Sequence, residues 1–279
     1  MIAKEVRTDY HPPVRCRRVG NLAEHGLGNY PDAREWYFGP DMKRDPNRHA
    51  QDLFNGIAAG YDTLAELCSF FQYGRWRRHL LSRLGPHSGD TVLDLCTGTG
   101  GVAIALARKF HGQVVGVDLS PEMLGHAQRK LQTAALAPRV SLVLSRAEDL
   151  PFRDHTFDAV CFTFLLRYVA DPLSALAEVV RVLKPGGRLA SLEFGAPQHI
   201  ILRGLWRIYT HYVMPVLTRP MSPGWRYVGG FLGPSIAQFS RTHSPEEIAD
   251  LWRQVGVEGV QIQRLSLGSA VVTWGTRRG

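Results

Sequence analysis

The residues VLDLCTGTGG, at positions 92–101, join a short apolar run to a glycine-rich turn. The apolar half is typical of a buried strand, and a helical pattern, GVAIALARKF, follows at 101–110. Glycines in such a turn let the backbone adopt positive φ and approach a ligand closely. No Lys-Ser/Thr pair follows, so this is not a Walker phosphate loop, and the third glycine of a dinucleotide fingerprint is missing. The unit predicts a strand, a ligand-binding loop and a helix.

Strands and helices continue to alternate beyond this unit. The predicted strands are 91–96, 113–119, 140–144, 157–164 and 187–194, with helices at 101–110, 120–131 and 171–183. A helix at 244–256 and two strands, at about 257–265 and 269–276, complete the pattern. Such alternation predicts an α/β fold with a parallel sheet covered on both faces.

The N-terminal part of the chain has a different pattern. Residues 47–84 carry apolar residues at helical spacing, and Gly60 and Gly74 are predicted to break that helix. Residues 1–45 lack sustained periodicity and predict an irregular arm that wraps the domain or docks on a second copy. The chain therefore divides into an arm (1–45), an N-terminal helical lid (46–86) and a core (87–279) with an insert at 195–243.

Composition and charge narrow the class of protein. The 279 residues are 44% hydrophobic and 21% charged, which excludes general disorder. A net charge of +8 favours anionic partners, nucleic acid or an acidic membrane, without choosing between them. No apolar signal region and no long apolar window occur, so a cytoplasmic protein is expected. The four cysteines lack metal-ligand spacing, and no metal is expected.

Polar features follow several predicted strands in succession. Asp118 closes the second strand, and a carboxylate there can accept both hydroxyls of a ribose. The segment 146–149 follows the third strand, where an adenine edge would lie, and Thr163 ends the fourth. Ligands bind at the carboxyl ends of such strands. Because no phosphate-binding residues accompany the acid, the pattern favours a nucleoside without phosphates, such as S-adenosylmethionine.

Four ordered motifs resemble those of class I S-adenosylmethionine-dependent methyltransferases. They are VLDLCTGTGG, VVGVDLSPEML, AEDLPF with FDAV four residues later, and EVVRVLKPGGRL. About residues 48–276 are similar to the ubiquinone/menaquinone C-methyltransferase family, through YDTLAELCSFFQYGRW (61–76), FTFLLRYVAD (162–171), RVLKPGGRLASLEF (181–194) and YVGGFLGPSIAQF (227–239). The resemblance implies a Rossmann-like, seven-stranded, mostly parallel sheet with an antiparallel last strand and a helical, aromatic substrate-lid insert.

The resemblance also implies S-adenosylmethionine as the cofactor and S-adenosylhomocysteine as its product. It places Thr99 in the glycine-rich loop, Asp118 at the ribose and Thr163 beside the methionine end. Tyr61 corresponds to the tyrosine of a lid over the cofactor. The expected cofactor-binding residues are Tyr61, Asp94, Thr97, Gly98, Thr99, Gly100, Asp118, Leu119, Met123, Arg146, Ala147, Glu148 and Thr163.

The chain departs from the family's pattern at several positions. Ala65 stands where Asn is usual, and Tyr73 stands where His is usual. Where the family has G-L-R-N, this chain has Leu-Leu-Arg-Tyr at 165–168. Where the family has L-E-F-S, it has Leu-Glu-Phe-Gly, so Gly195 replaces the usual Ser. Every changed position is expected to face the acceptor rather than the cofactor. The methyl donor is therefore a firmer expectation than the acceptor.

The chemistry of a quinol acceptor suggests three catalytic candidates. Loss of a phenolic proton requires a general base, or a cation that holds the phenolate. Arg167 is the candidate cation, and a salt bridge within the cofactor loop is its alternative role. Tyr168 and Glu193 are candidate acid or base groups, although a structural hydrogen bond is the stronger expectation for Glu193.

The insert has an unusual charge pattern. From Phe194 through Pro245 there is no Asp or Glu, while the stretch holds five arginines and many aromatic residues. It predicts a lid over a large apolar acceptor, with a basic outer side able to rest on an anionic membrane. The alternative is a helix buried against the sheet. The expected acceptor-binding residues are Trp206, Tyr209, His211, Tyr212, Phe231 and Ser235.

Three classes of function stay open. The first is C-methylation of a prenylated quinol or a related small molecule. Its alternatives, in secondary metabolism, are methylation at a prenyl double bond and methylation at O or N of an aromatic natural product. The second is an RNA or protein methyltransferase, which only the charge suggests; no nucleic-acid-binding motif occurs, so no nucleic-acid partner is expected. The third is a non-catalytic protein with this fold, although every cofactor position is kept.

Overall fold

The computed structural model describes residues 46–279, and the predicted arm at 1–45 lies outside them. Three helices precede the sheet: α1 at Pro46–Asn55, α2 at Tyr61–Cys68 and α3 at Tyr73–Leu84. The predicted break at Gly60 is confirmed, because this residue has a φ of 75° directly before α2. The break predicted at Gly74 is wrong. Gly74 lies inside α3, and the chain turns at 69–72, where Phe70 and Phe71 have positive φ.

The remaining elements alternate as the sequence predicts. In chain order they are β1 (Thr91–Leu95), α4 (Gly101–Lys109), β2 (Gln113–Asp118), α5 (Pro121–Thr133), β3 (Val140–Leu144), β4 (Phe157–Thr163), α6 (Pro172–Val182), β5 (Leu183–Phe194), α7 (Ile200–Ile208), a π-helical turn (Tyr209–Val213), α8 (Met214–Thr218), α9 (Pro223–Thr242), α10 (Pro245–Gln254), β6 (Val257–Leu265) and β7 (Ala270–Arg277). Short 3₁₀ turns lie at Leu166–Tyr168 and Ser266–Gly268.

The seven strands form one sheet in the order β3-β2-β1-β4-β5-β7-β6. β7 runs antiparallel to both of its neighbours, and the other pairs are parallel. This confirms the predicted mostly parallel sheet with an antiparallel last strand. The chain order reverses between β1 and β4, and ligands bind at the carboxyl ends of the strands beside such a point.

Strand β5 begins earlier than predicted. It starts at Leu183 rather than at 187, because Leu183 already pairs with Phe157. The next pair joins Ala159 to Arg188, so a bulge absorbs the intervening Lys-Pro-Gly-Gly residues. The Lys-Pro-Gly-Gly segment at 184–187 is therefore part of an irregular strand.

Apolar layers cover both faces of the sheet. One layer packs under α6 and α10 and contains the fully buried side chains of Phe157, Phe162 and Trp252. The other packs under α3 and α4 and contains Leu80 and Leu106. Close packing on both sides gives the carboxyl ends of the strands a rigid base.

The insert is a layer of helices. Its longest helix, α9, contains Pro234 and was not predicted, because Gly and Pro are poor residues for a helix interior. Ser222 caps α9 by accepting a hydrogen bond from the Trp225 amide at 3.4 Å. A Cβ at Gly233 would lie 2.6 Å from Cβ of Thr210, so glycine lets α9 lie against the π-helical turn. None of the helices between residues 46 and 279 is long and apolar enough to cross a membrane.

Candidate active site

A cavity with about 870 Å³ of empty volume lies at the carboxyl ends of β1, β2 and β4. The glycine-rich loop forms its floor, and α1 and α2 form its roof. Most of the expected cofactor residues line it: Tyr61, Thr97, Gly98, Thr99, Asp118, Leu119, Met123, Ala147 and Thr163. The topology brings these residues together because the strands that carry them end at one edge of the sheet. We call this space the cofactor cavity.

The glycine-rich loop has the backbone that its sequence requires. Gly98 has a φ of 54° and no atom within 4 Å of the position of a Cβ, so its backbone opens onto the cavity. Thr97 Oγ1 donates to Asp94 Oδ2 at 2.6 Å. Burial raises the pKa of Asp94 to about 7. Asp94 thus holds the loop from below rather than lining the cavity, and Gly100 packs against Ala127 of α5.

Asp118 lies at the end of β2 and is buried. Its Oδ2 accepts from the Gly98 amide at 2.7 Å, and its Oδ1 accepts from the Ser120 amide at 2.9 Å. Burial raises the pKa of this carboxyl, while the hydrogen bonds from the amides oppose the shift. A carboxylate has about four acceptor positions, so it can also receive the two hydroxyls of a ribose.

The segment after β3 contributes less than expected. Ala147 lines the cofactor cavity, whereas Arg146 is exposed and lies outside its lining. Glu148 also lies outside, because its Oε1 accepts from Asn47 Nδ2 of α1 at 2.8 Å. Arg146 and Glu148 are thus placed by the structure outside the wall they were expected to form, and Glu148 anchors the roof instead.

The roof of the cofactor cavity is held by polar contacts that the sequence analysis missed. Gln51 Nε2 donates to the Leu119 carbonyl at 3.0 Å. Asp62 accepts from Thr99 Oγ1 at 3.0 Å and pairs with Lys130, whose Nζ also donates to Thr99 Oγ1 at 2.8 Å. This latch ties α2 to the glycine-rich loop and to α5. Asp62 directly follows Tyr61 in the sequence, which is the one local signal that could have pointed to it.

A second cavity lies between the sheet, α3 and the insert, with about 1290 Å³ of empty volume. Its lining is dominated by apolar and aromatic side chains, so we call it the acceptor cavity. Five aromatic side chains line both cavities: Phe54, Tyr61, Tyr73, Phe164 and Tyr168. The cavities therefore share a wall, across which a group could pass between their two ligands.

Three of the expected acceptor-binding residues line the acceptor cavity: Trp206, Tyr209 and Phe231. His211, Tyr212 and Ser235 lie outside its lining. The π-helical turn directs Thr210 and Met214 inward and leaves Tyr212 70% exposed. Ser235 is buried, but its neighbour Ile236 is the residue that faces the cavity.

Arg167 extends into the acceptor cavity beside the shared wall. Its guanidinium carbon lies 4.7 Å from the ring centroid of Tyr168 and 5.4 Å from that of Phe194. Nη2 donates to Tyr168 Oη at 2.8 Å. Nε and Nη1 are buried and have no hydrogen-bond partner within residues 46–279. No salt bridge to Arg167 forms in this part of the chain, contrary to the alternative role considered for it.

Glu193 holds the backbone of the neighbouring turn rather than facing the acceptor cavity. Its Oε1 accepts from the amides of Leu165 and Leu166 at 2.8 and 2.9 Å, and it lies outside the lining of the acceptor cavity. Burial raises the pKa of Glu193 to about 7, and the two amides and Arg167 oppose that shift. The carboxyl thus fixes the 3₁₀ turn that carries Arg167 and Tyr168. Burial also raises the pKa of Tyr168, which keeps its phenol protonated at neutral pH.

The positions that depart from the family pattern do not all face the acceptor. Ala65, Tyr73 and Tyr168 line the acceptor cavity, and the two tyrosines also line the cofactor cavity. Leu165 lines the cofactor cavity alone, and Gly195 lines a separate cleft beside Glu193. The expectation is therefore wrong for Leu165, because the turn at 165–168 faces both cavities in succession, and for Gly195, because it lies beyond the end of β5 and away from both cavities.

The sheet order, the glycine-rich loop and the acid at the end of β2 together define a class I S-adenosylmethionine-dependent methyltransferase. The buried Asp118 and the open backbone at Gly98 fit a nucleoside cofactor. A crystal structure of an S-adenosylmethionine-dependent methyltransferase from Aquifex aeolicus has this fold, with a TM-score of 0.51 at 20% identity, covering 72% of this chain and 89% of that chain.

Sequence comparison identifies the family within this class. The sequence model of the ubiE/COQ5 methyltransferase family matches residues 42–277, so the chain belongs to that family. It is 36% identical to a demethylmenaquinone methyltransferase of Lactiplantibacillus plantarum over 231 residues, 82% of this chain and 96% of that protein. It is also 36% identical to a ubiquinone/menaquinone biosynthesis C-methyltransferase of Desulfotalea psychrophila over 228 residues, 81% of this chain and 89% of that protein.

Proposed function

We propose that this enzyme methylates a ring carbon of a prenylated quinol. The observation that carries this proposal is the placement of Arg167, whose Nε and Nη1 are buried beside the shared wall and have no partner within residues 46–279. Buried donors without partners are costly, so the acceptor cavity favours a ligand with an anionic or strongly accepting oxygen. The aromatic lining suits the remaining apolar part of such a ligand. Relatives named for demethylmenaquinone support this choice.

The residues of the cofactor cavity would hold S-adenosylmethionine, which supplies an electrophilic methyl group on a sulfonium. Asp118 would accept the ribose hydroxyls, and Thr163 would lie beside the methionine end. The α1–α2 roof and the shared aromatic wall exclude water from the space between the two ligands. Positioning of the two reactants is the main contribution that such a site can make.

Arg167 would stabilise the phenolate form of the acceptor. A phenolate oxygen near Nε and Nη1 would raise electron density at the neighbouring ring carbon. That carbon would take the methyl group as the sulfonium S–CH3 bond breaks, leaving S-adenosylhomocysteine, and its proton would then pass to solvent as the ring regains its aromaticity. Tyr168 accepts from Nη2 of the same guanidinium and fixes its orientation. Glu193 acts as a positioning residue, because it holds the amides of the turn that carries Arg167.

Turnover of labelled S-adenosylmethionine with an acceptor panel tests this proposal. The panel contains a demethylated naphthoquinol, a benzoquinol, a prenylated indole, a prenylated phenol and bulk RNA. Label in a quinol that is retained after boron tribromide treatment, which removes O-methyl but not C-methyl groups, is the expected result. Label only in another acceptor would contradict the proposal, and label in RNA would require a different site from the apolar cavity described above.

A second candidate is methylation of another prenylated or aromatic metabolite, at a prenyl double bond or at O or N. The substitutions at Ala65, Tyr73 and Tyr168 favour it, because all three positions line the acceptor cavity. Tyrosines there change both the volume and the polarity available to the acceptor. Transfer to the prenylated indole or phenol, with silence on both quinols, would support this candidate.

We propose the cytoplasm as the compartment. Cys68, Cys96 and Cys161 are free thiols, and burial raises the pKa of each. Cys161 is buried and the other two are half-buried, and unpaired, protonated thiols suit a reducing compartment. Fractionation of cells that produce the chain, with alkylation of its thiols before lysis, tests this location.

A further inference from the structure

The insert exposes large apolar side chains along α7, the π-helical turn and α8. Between 41% and 81% of each side chain is exposed in this set: Ile200, Ile201, Leu205, Ile208, Tyr212, Val213, Val216 and Leu217. Helix α7 contains no buried residue. Soluble proteins rarely expose so many adjacent apolar residues, and such patches usually mark a binding surface.

Helix α7 separates its apolar and cationic side chains into neighbouring stripes. At about 3.6 residues per turn, Ile201, Leu205 and Ile208 share one side of the helix. Arg203 and Arg207 lie along the edge of this apolar stripe, and both are exposed. The opposite side carries Trp206 and Tyr209, which line the acceptor cavity. A helix that is apolar outside, cationic at its edge and aromatic inside has the pattern of an interfacial helix.

The turn at 69–72 extends this surface. Phe70 and Phe71 are 66% and 72% exposed, and their φ angles of 53° and 59° are unfavourable for residues with a side chain. The Phe70 ring lies 4.8 Å from that of Tyr209, and Tyr209 Oη donates to the Cys68 carbonyl at 2.8 Å. The turn is thus joined to the insert. We call the exposed residues of 200–217, together with Phe70 and Phe71, the docking face.

The docking face adjoins the acceptor cavity. Phe70, Trp206 and Tyr209 belong to the elements that carry the face, and all three also line that cavity. A ligand that reaches the docking face is therefore separated from the acceptor cavity by the thickness of a single helix or turn.

The charge around the docking face selects its partner. No carboxylate occurs in the insert, from residue 194 to 245, whereas α7 carries Arg203 and Arg207 and Arg219 directly follows α8. Two copies meeting through this face would bring like charges together, which disfavours a symmetric dimer. An anionic lipid surface supplies both the apolar phase and the opposite charge.

We propose that the docking face binds the surface of an anionic lipid bilayer, and that an apolar acceptor enters its cavity from there. Entry of the acceptor from the bilayer rests on the proposed function, because only a hydrophobic acceptor would be stored in a bilayer. Binding of the docking face to the bilayer rests on the exposed apolar residues and the arginines alone.

Vesicle binding of the full chain tests whether the docking face binds an anionic bilayer. Vesicles of phosphatidylcholine alone are compared with vesicles that also contain phosphatidylglycerol, by co-sedimentation. The chain is expected to bind the anionic vesicles, and the double variant I200D/I208D is expected to bind at least about tenfold more weakly, because two apolar anchors are lost. Both positions are exposed, so the fold should persist. L173D, which places the same charge at an exposed leucine of α6, is the matched control and should bind like the wild type.

The arginines give an independent measurement. R203Q/R207Q should keep its helix and apolar stripe but lose about fivefold in affinity for anionic vesicles per arginine. Added salt should weaken wild-type binding and have less effect on this variant. Equal binding of the wild type and I200D/I208D would overturn the proposal. The proposal would also be overturned if the wild type did not bind vesicles and I200D/I208D had a different molar mass from the wild type in light scattering. The docking face would then bind a second copy of the chain.

Entry of the acceptor from the bilayer is tested by supplying the acceptor in two ways. With an acceptor embedded in vesicles, I200D/I208D should lose turnover in proportion to its lost binding. With a short-chain, water-soluble acceptor, the same variant should match the wild type. Vesicle binding without turnover on any quinol would overturn the proposed acceptor and leave the docking face standing. Equal losses with both acceptors would overturn the delivery route.

Discussion

Asp118 is the single side chain on which cofactor binding depends most, because it is buried at the end of β2 and already orders the loop through the Gly98 amide. Its replacement removes the acceptors for two ribose hydroxyls, each worth about 1.5–3 kcal/mol for a charged partner. We expect Asp118→Ala to abolish measurable binding of S-adenosylmethionine in calorimetry. Asp149 follows β3, is exposed and lies outside the lining of the cofactor cavity, so Asp149→Ala should bind normally. Micromolar affinity in Asp118→Ala would contradict the assignment of the cofactor cavity.

Arg167 is expected to affect the reaction without affecting the cofactor. It lines the acceptor cavity but not the cofactor cavity. We expect Arg167→Ala to keep the affinity for S-adenosylmethionine and to lower kcat by about 100- to 1000-fold, the usual effect of losing one donor to a developing anion. Calorimetry and steady-state kinetics measure the two effects separately.

The matched control for Arg167 is Arg253→Ala, which removes an exposed arginine whose partner, Asp250, lies on the same helix. It should keep both kcat and binding. Normal turnover in Arg167→Ala would remove this arginine from the chemistry. Equal loss of cofactor affinity and turnover would indicate that Arg167 supports the shared wall rather than the acceptor.

The residues at the ends of the strands could be predicted, and those of the roof could not. Asp118, Ala147 and Thr163 follow apolar runs that any parallel sheet brings to one edge. Asn47 and Lys130 have no such marker. They reach the site only because α1 and α5 pack beside the loop, and that packing involves contacts between distant parts of the chain.

At the scale of the elements, the insert shows how close packing overrides helix propensity. The sequence of α9 is rich in Gly and Pro, yet it forms a helix of 20 residues, because its glycines allow contact with neighbouring helices. For the same reason a local pattern could not show that the π-helical turn directs His211 and Tyr212 away from the acceptor cavity. The strands of the core were predictable because each is a short apolar run that packing on both faces requires.

This packing predicts opposite effects for two glycines of the insert. A Cβ at Gly233 would lie 2.6 Å from Thr210, so Gly233→Ala should lower the free energy of unfolding by about 1–3 kcal/mol through overpacking. Gly204 lies in α7 with no atom within 4 Å of its Cβ position, so Gly204→Ala should be neutral or stabilising by up to about 1 kcal/mol. Thermal and denaturant unfolding of the two variants measure this contrast. Equal stabilities would mean that α9 does not pack closely against the π-helical turn in solution.

At the scale of the whole molecule, α1 and α2 border both cavities, whereas the insert borders only the acceptor cavity. Gln51 and Asp62 hold α1 and α2 over the cofactor cavity. Helices α1, α2 and α9 pack in one apolar cluster, in which the Tyr61 ring lies 6.2 Å from that of Trp225. The cofactor should therefore order α1 and α2 first and affect α7 and α8, which do not line its cavity, less.

Hydrogen exchange of the full chain can separate the response of α1 and α2 from that of α7 and α8. We expect S-adenosylhomocysteine to slow exchange in α1 and α2 by the factor that its binding free energy allows, with little change in α7 and α8. Asp62→Asn should weaken this protection, because the contact of residue 62 with Thr99 and Lys130 loses its negative charge. The exposed Asp62–Lys130 ion pair is worth at most about 1 kcal/mol, so the affinity for S-adenosylhomocysteine should fall only about fivefold. Anionic vesicles should slow exchange in α7 and in the turn at 69–72 instead. If S-adenosylhomocysteine and vesicles protect all of these segments equally, α7 and α8 move together with α1 and α2, and their independence from the cofactor cavity is wrong.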